Sequence, residues 1–238
     1  MPDPARAVPA ADLLVRCLVE YGVRHVFGYP GGQLTPILDA INREPRLRHY
    51  LARHEQAAAF MADGFGRVTG RPGVCLAVCG PGFYNTATPL ASAHTDSTPV
   101  LLLSGQVPSA GRGLRSGSYH ENEQFDAARY FTKYQVRADT PLEVVPSLDL
   151  AWTALTRDRP GPVLFEAPVN VLRAEATPAA WPALPAAPNP RAPRSAEVED
   201  RARLLSGWKR PLLLAGAAYS GRRGKRVGCD LSSLDQIR

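Results

Sequence analysis

EQAAAFMADGFGRVTG (residues 55–70) runs almost directly into GVCLAVC (73–79), and this pair of segments decides the fold class. The first segment is rich in small residues, has helical spacing and closes at Gly70, a favoured helix stop. The second is an apolar run without polar alternation, which reads as a strand covered on both faces. Similar runs recur at PVLLLS (99–104) and PVLFEAP (162–168). Working back towards the N-terminus, LRHYLA (47–52) and HVFGY (25–29) read as strands. PGGQLTPILDAINRE (30–44) reads as a turn and a helix, and the segment before Gly22 as a helix with Leu13, Leu14, Cys17 and Leu18 on one face. Strands buried on both sides and alternating with helices predict an α/β fold: a parallel sheet with helices on both faces.

Between residues 174 and 194 prolines stand at 178, 182, 185, 188, 190 and 193. That density predicts an extended linker without regular structure. The expected organisation is therefore a first domain over 1–172, a linker over 173–194, and over 195–238 the incomplete start of a second α/β domain. In that last part, EVEDRARLLSGW (197–208) reads as a helix and PLLLAGAAYSG (211–221) as a strand and turn. Residues 221–238 lose all apolar periodicity and are expected to be poorly ordered, so the chain reads as truncated.

The 238 residues are 45% hydrophobic and 21% charged, which argues against a disordered or fibrous chain. The net charge of +6 sits mostly in the tail: residues 209–238 hold seven basic and two acidic residues, leaving 21 basic and 20 acidic before them. Such a balanced body predicts no nucleic-acid partner and no membrane partner. Neither a secretory signal nor a long apolar span is visible, which predicts a cytoplasmic location. Cys17, Cys75, Cys79 and Cys229 lack metal-site spacing, so no metal ligand is assigned, and Cys75 and Cys79 are expected in the core.

Three glycine-bearing turns, at 28–32, 79–82 and more loosely 104–108, are each expected to follow a strand and precede a helix. They would gather at the carboxyl edge of the sheet, where open α/β sheets bind ligands. The dinucleotide and P-loop glycine fingerprints are absent. Glu55 opens a helix whose next residues include Ala57, Ala58 and Ala59. It reads either as an acid favoured at a helix start or as a carboxyl withdrawn from water that holds or releases a proton near neutrality.

RHEQAAAFMADGFGRVTGRPGVCLAVCGPGFYN (53–85), with FGYPGGQLTPILDA (27–40) before it and HTDSTPVLLLSGQVP (94–108) after it, strongly resembles the thiamin diphosphate-dependent acetolactate synthase and 2-oxo acid decarboxylase family. RDRPGPVLFEAPVNV (157–171) looks like the last helix-to-strand unit of that family's N-terminal pyrimidine-binding domain. The resemblance implies that Glu55 hydrogen-bonds the cofactor's aminopyrimidine and promotes loss of the thiazolium C2 proton, so that a 2-oxo acid can be attacked and decarboxylated. It also implies cofactor-binding roles for Tyr29, Pro30, Gly31, Pro81, Gly82 and Asn85, and substrate-pocket positions at Gly32, Phe83, Gln106 and Glu121. His120 and Glu121 fall where acetolactate synthases usually carry Gln-Glu, and an imidazole there could donate a proton, favouring aldehyde release over carboligation. Alternatively it is a solvated loop histidine. Phe83 and Tyr84 are also bulkier than usual for that family.

In the family, Mg²⁺ and the diphosphate are held by a GDG…N motif of a C-terminal domain, which this sequence does not contain. The chain is thus expected to supply the pyrimidine half of a site completed across a homodimer or tetramer. FAD binding stays open. A simple decarboxylase and a non-catalytic interaction module are the alternative readings.

Overall fold

An apolar strand with no polar side needs a helical layer on each face, because successive side chains point to opposite sides of the sheet. The computed structural model, which describes residues 7–113, 117–177 and 194–208, has that arrangement. In chain order the elements are β1 (Val8–Pro9), α1 (Ala10–Glu20), β2 (His25–Gly28), α2 (Thr35–Arg43), β3 (Arg48–Leu51), α3 (Glu55–Thr69), β4 (Gly73–Ala77), α4 (Pro81–Asn85) and α5 (Ala87–Thr95). They continue with β5 (Val100–Gln106), α6 (Gln124–Ala127), β6 (Tyr134–Arg137), α7 (Val144–Thr156), β7 (Val163–Pro168), α8 (Val169–Arg173), β8 (Glu175–Ala176) and α9 (Ser195–Ser206).

Six parallel strands form one sheet in the order β3-β2-β4-β5-β7-β6. Val74, Leu76, Leu101, Leu103, Val163 and Phe165 pack into a core with residues of α1, α2 and α7. Their strand neighbours Cys75, Ala77, Val100, Leu102 and Leu164 face the other way, against Ala59 and Ala62 of α3 and Leu90 and Ala93 of α5. The small residues of α3 have a packing reason: a Cβ on Gly73 would lie 2.0 Å from the Ala62 carbonyl oxygen, so helix and strand touch backbone to backbone. Cys17, Cys75 and Cys79 are buried free thiols, and burial pushes them up to about 12, about 12 and about 11 respectively.

The strand order reverses beside β2. The chain leaves β2 for α2 on one face and leaves β4 for α4 and α5 on the other, which opens a crevice at their carboxyl ends. Gly28 is level with both Leu51 and Leu76, so β2, β3 and β4 end together at that crevice.

Three details depart from expectation. Strand β5 extends through Gly105 to Gln106, so residues 104–106 lie in the sheet and not in a turn, and a 3-10 turn (Ser109–Gly111) follows in place of an α-helix. Strand β6, YQVR, lies at the sheet edge, and its half-buried pattern lacks the apolar run that marks the central strands. Glu175 and Ala176 are not part of an irregular linker. They pair antiparallel with Val8–Pro9, and the Ala10 amide donates to the Ala174 carbonyl at 2.9 Å. The first proline of the run is Pro178, so the residues before it keep their donors.

The chain divides into two units, Met1–Pro185 and Ala186–Arg238. In the second, α9 overlaps the expected helix, starting two residues earlier and ending before Gly207 and Trp208, and buries none of its residues. The proline-rich residues 178–193, the expected strand at 211–221, the tail 221–238 and Cys229 lie outside the described residues.

Candidate functional site

Glu55 is the first residue of α3, just beyond the end of β3, and its neighbour His54 caps the helix by accepting the Gln56 amide at 3.2 Å. The Glu55 side chain is buried. Asn85, the last residue of α4, donates from Nδ2 to Glu55 Oε2 at 3.0 Å, and among the described residues this is the side-chain bond the carboxylate accepts. Its other oxygen faces Gly82. A Cβ on Gly82 would lie 2.9 Å from Glu55 Oε1 and 2.5 Å from Val78 Cγ2. On the opposite side of Val78, a Cβ on Gly31 would lie 2.1 Å from Cγ1. The 28–32 turn, Val78, the 80–82 turn and Glu55 thus form one contiguous surface at the crevice between β2 and β4. Glycine at 31 and 82 is what lets these turns approach Val78 and Glu55 so closely.

Tyr29, Pro30, Gly32 and Pro81 are exposed on this rim, and Asn85 is half-buried. His120 reaches the rim by its backbone: a Cβ on Gly80 would lie 2.5 Å from the His120 carbonyl oxygen. The imidazole stacks on Tyr119 with ring centroids 3.8 Å apart, and His120 itself adopts φ 69. A non-glycine residue with positive φ is uncommon and marks a loop whose course is set by its contacts. Those contacts come from around the rim. Gln33 Nε2 donates to the Tyr119 carbonyl at 3.3 Å, Tyr84 donates to Asn122 Oδ1 at 2.8 Å, and Gln106 Nε2 donates to the Asn122 carbonyl at 3.2 Å.

Two residues expected at the substrate pocket, Phe83 and Gln106, are buried. Phe83 is fully buried in the core between α3, α5 and β5, with Phe131 5.7 Å away, because the helical turn of α4 directs it inward. Gln106 is also buried, and both ends of its amide are engaged, Oε1 by the Val107 amide at 2.8 Å and Nε2 by Asn122. It pins the loop. Glu121 accepts the Gly113 amide at 3.0 Å, bracing the start of the same loop.

Sequence reasoning missed the buried polar group beneath the rim. Glu166 on β7 is fully buried and accepts from Arg137 Nε at 2.6 Å and from Gln124 Nε2 at 2.6 Å. Burial raises its carboxyl above the usual carboxylate range, while Arg137 and Gln124 act against that rise. The available signal was an acid inside an otherwise apolar run, VLFEAP, at a position that the fold covers on both sides. Among the described residues no cluster of His, Cys, Asp and Glu forms a metal site, and no helix is long and apolar enough to cross a membrane.

Residues 9–129 match the family described as "Thiamine pyrophosphate enzyme, N-terminal TPP binding domain", thiamine pyrophosphate being thiamin diphosphate. An acetolactate synthase of Mycobacterium bovis is 37% identical over 210 residues, covering 87% of this chain and 33% of that protein. One from Arthrospira platensis is 41% identical over 173 residues, covering 71% and 30%, and the chloroplastic enzyme of Arabidopsis thaliana is 34% identical over 241 residues, covering 99% and 34%. The chain therefore spans about a third of the length of these relatives.

Proposed function

The chain belongs to the thiamine pyrophosphate enzymes, as an acetolactate synthase-like N-terminal TPP-binding domain, and on that premise we propose that Glu55 binds the aminopyrimidine of thiamin diphosphate and exchanges a proton with it. The observation that carries this reading is a buried carboxylate at the crevice, held by Asn85 on one side and packed on the other against the backbone of a turn that tolerates only glycine at 82. The donor set fits an aminopyrimidine. Glu55 offers an oxygen that accepts from, or when protonated donates to, a ring nitrogen. Asn85 holds the second carboxylate oxygen, which fixes the plane of the carboxyl group. Glu55 opens α3 beside the crevice, and its burial keeps bulk water away from the carboxyl group.

When bound, thiamin diphosphate supplies the electron sink for decarboxylating a 2-oxo acid. For the whole protein the proposed reaction is acetolactate synthase-like: decarboxylation of a 2-oxo acid, then transfer of the resulting acyl carbanion to a second carbonyl. His120 is proposed beside the reacting carbon, with Mg²⁺ and the diphosphate held outside this domain. Phe60, Met61 and Val68 are exposed along α3. This apolar stripe, on the face of α3 opposite Glu55, suits a partner subunit in a homodimer.

The test is titration of the purified chain with the hydroxymethyl-aminopyrimidine half of thiamine, and separately with thiamin diphosphate and Mg²⁺. Binding is followed by the NMR signals of the Gly82 amide and the Asn85 side-chain amide. Both signals should move in the wild type and stay still in Glu55→Gln at the same concentrations. A wild-type chain with no response at Gly82 would overturn the proposal.

A further inference from the structure

Beneath the Gly80 turn lies a buried polar chain that the cofactor reading does not use. Gln124 is fully buried, and its amide is saturated: Oε1 accepts the Gly80 amide at 2.9 Å, while Nε2 donates to Glu166 Oε2 at 2.6 Å and to Ser104 Oγ at 2.9 Å. Glu166 is anchored in turn by Arg137 Nε at 2.6 Å, and the Arg137 guanidinium lies over the Phe125 ring at 4.2 Å. This arrangement fixes the amide's orientation. Flipped, Gln124 would set its NH₂ against the Gly80 N–H and its oxygen against the Glu166 carboxylate, unfavourable at both ends.

Gly80 is where such control matters. It sits at φ 64 and ψ −122 just before α4, Pro81 has no N–H, and Gly82 follows directly against Glu55 Oε1. The Gly80 N–H is thus the last backbone donor before Gly82, and it is tied to Gln124. We infer that Gln124 is a positioning residue of the Glu55 site: clamped by Glu166 and Ser104, it holds the Gly80 N–H and so sets the Pro81–Gly82 turn against the carboxylate. The role rests on the proposed aminopyrimidine site, but the clamp can be measured without any ligand.

The experiment uses the full chain and compares wild type, Q124L and Q124E by hydrogen exchange and NMR, with the hydroxymethyl-aminopyrimidine half of thiamine as probe. In Q124L the Gly80 amide should exchange at least about tenfold faster and the probe should bind about tenfold more weakly, while α3 amides such as Ala59 and Ala62 keep their protection. Q124E retains the acceptor for Gly80 but places a second carboxylate against Glu166, with Arg137, Arg112 and the Cys79 thiol as the other titratable groups facing that pair. Gly80 protection in Q124E should approach wild type at acid pH, where the two carboxyls share a proton, and fall as pH rises and both ionise. A generally loosened core would not produce that reversible profile. Unchanged Gly80 exchange in Q124L, or a flat pH profile in Q124E, overturns the inference. If Q124L also loses α3 protection, the Q124E profile decides alone. A wild-type chain that ignores the probe while showing these exchange effects would instead refute the aminopyrimidine site and leave the clamp standing.

Discussion

At Gly82 one added methyl group would have to share space with Cγ2 of the short, branched Val78 side chain and with Oε1 of Glu55, whose carboxylate Asn85 holds in place. Gly82→Ala should therefore push Glu55 off its bond with Asn85. It should cost about 1–3 kcal/mol in urea denaturation and abolish the response of the Asn85 side-chain amide to the aminopyrimidine probe. A variant as stable as wild type with an unchanged response would mean that the turn has room for the added methyl group. Glu55 and the two turns are legible in the sequence itself, because a carboxylate at a helix start and glycines after strands have strong local signatures. Phe83 and Gln106 are not. Phe83 stands beside the exposed Tyr84, and Gln106 lies past the expected strand end, so only the phase of α4 and the extra length of β5 show that these two are buried. Gln124, Arg137 and Glu166 meet only after three separate segments have packed, so no spacing in the chain announces them.

Helix ends show what a single element needs from distant sequence. α7 has no basic residue in its last turn, yet Lys133, preceding β6, donates to the carbonyls of Ala154 at 2.6 Å and Arg157 at 2.7 Å. Arg159 serves the end of α5 in the same way, bonding the Thr95 carbonyl at 2.9 Å and Ser97 Oγ at 2.6 Å. Each cation meets the partial negative charge of unsatisfied carbonyls. Lys133→Met should lower stability by about 1 kcal/mol, the upper range for a surface cation at a helix C-terminus. Exchange should speed up selectively in the last turn of α7, and unchanged protection there would remove the capping role. Local pattern sufficed for elements with a full apolar face, such as α1, α3, β4 and β7. It failed for β6 and β8, one a half-exposed edge strand and the other two residues long, both defined by the partner they pair with.

For the molecule as a whole, the buried acid under the site gives stability a particular dependence on pH. Burial raises the Glu166 carboxyl in the folded state above its value in the unfolded chain, so the folded protein binds that proton more tightly. The stability it contributes is fully present below the unfolded value, about 4.3, and is lost as pH rises through the folded one. Glu44 has the opposite sign. Its bonds from Arg46 hold it below the usual carboxylate range, so its contribution is present above the unfolded value and is lost as pH falls through the folded one. Urea midpoints measured from about pH 3 to about pH 8 should therefore decline on the alkaline side of the ordinary carboxylate value, and Glu166→Gln should flatten that limb while leaving the acid limb in place. Arg137→Met should steepen the same limb, because it removes the cation that opposes the rise and leaves the ionised carboxylate buried without it. A Glu166→Gln chain whose midpoints fall as steeply as those of wild type would mean that Arg137 holds Glu166 ionised throughout, and that the pH dependence of this fold arises elsewhere.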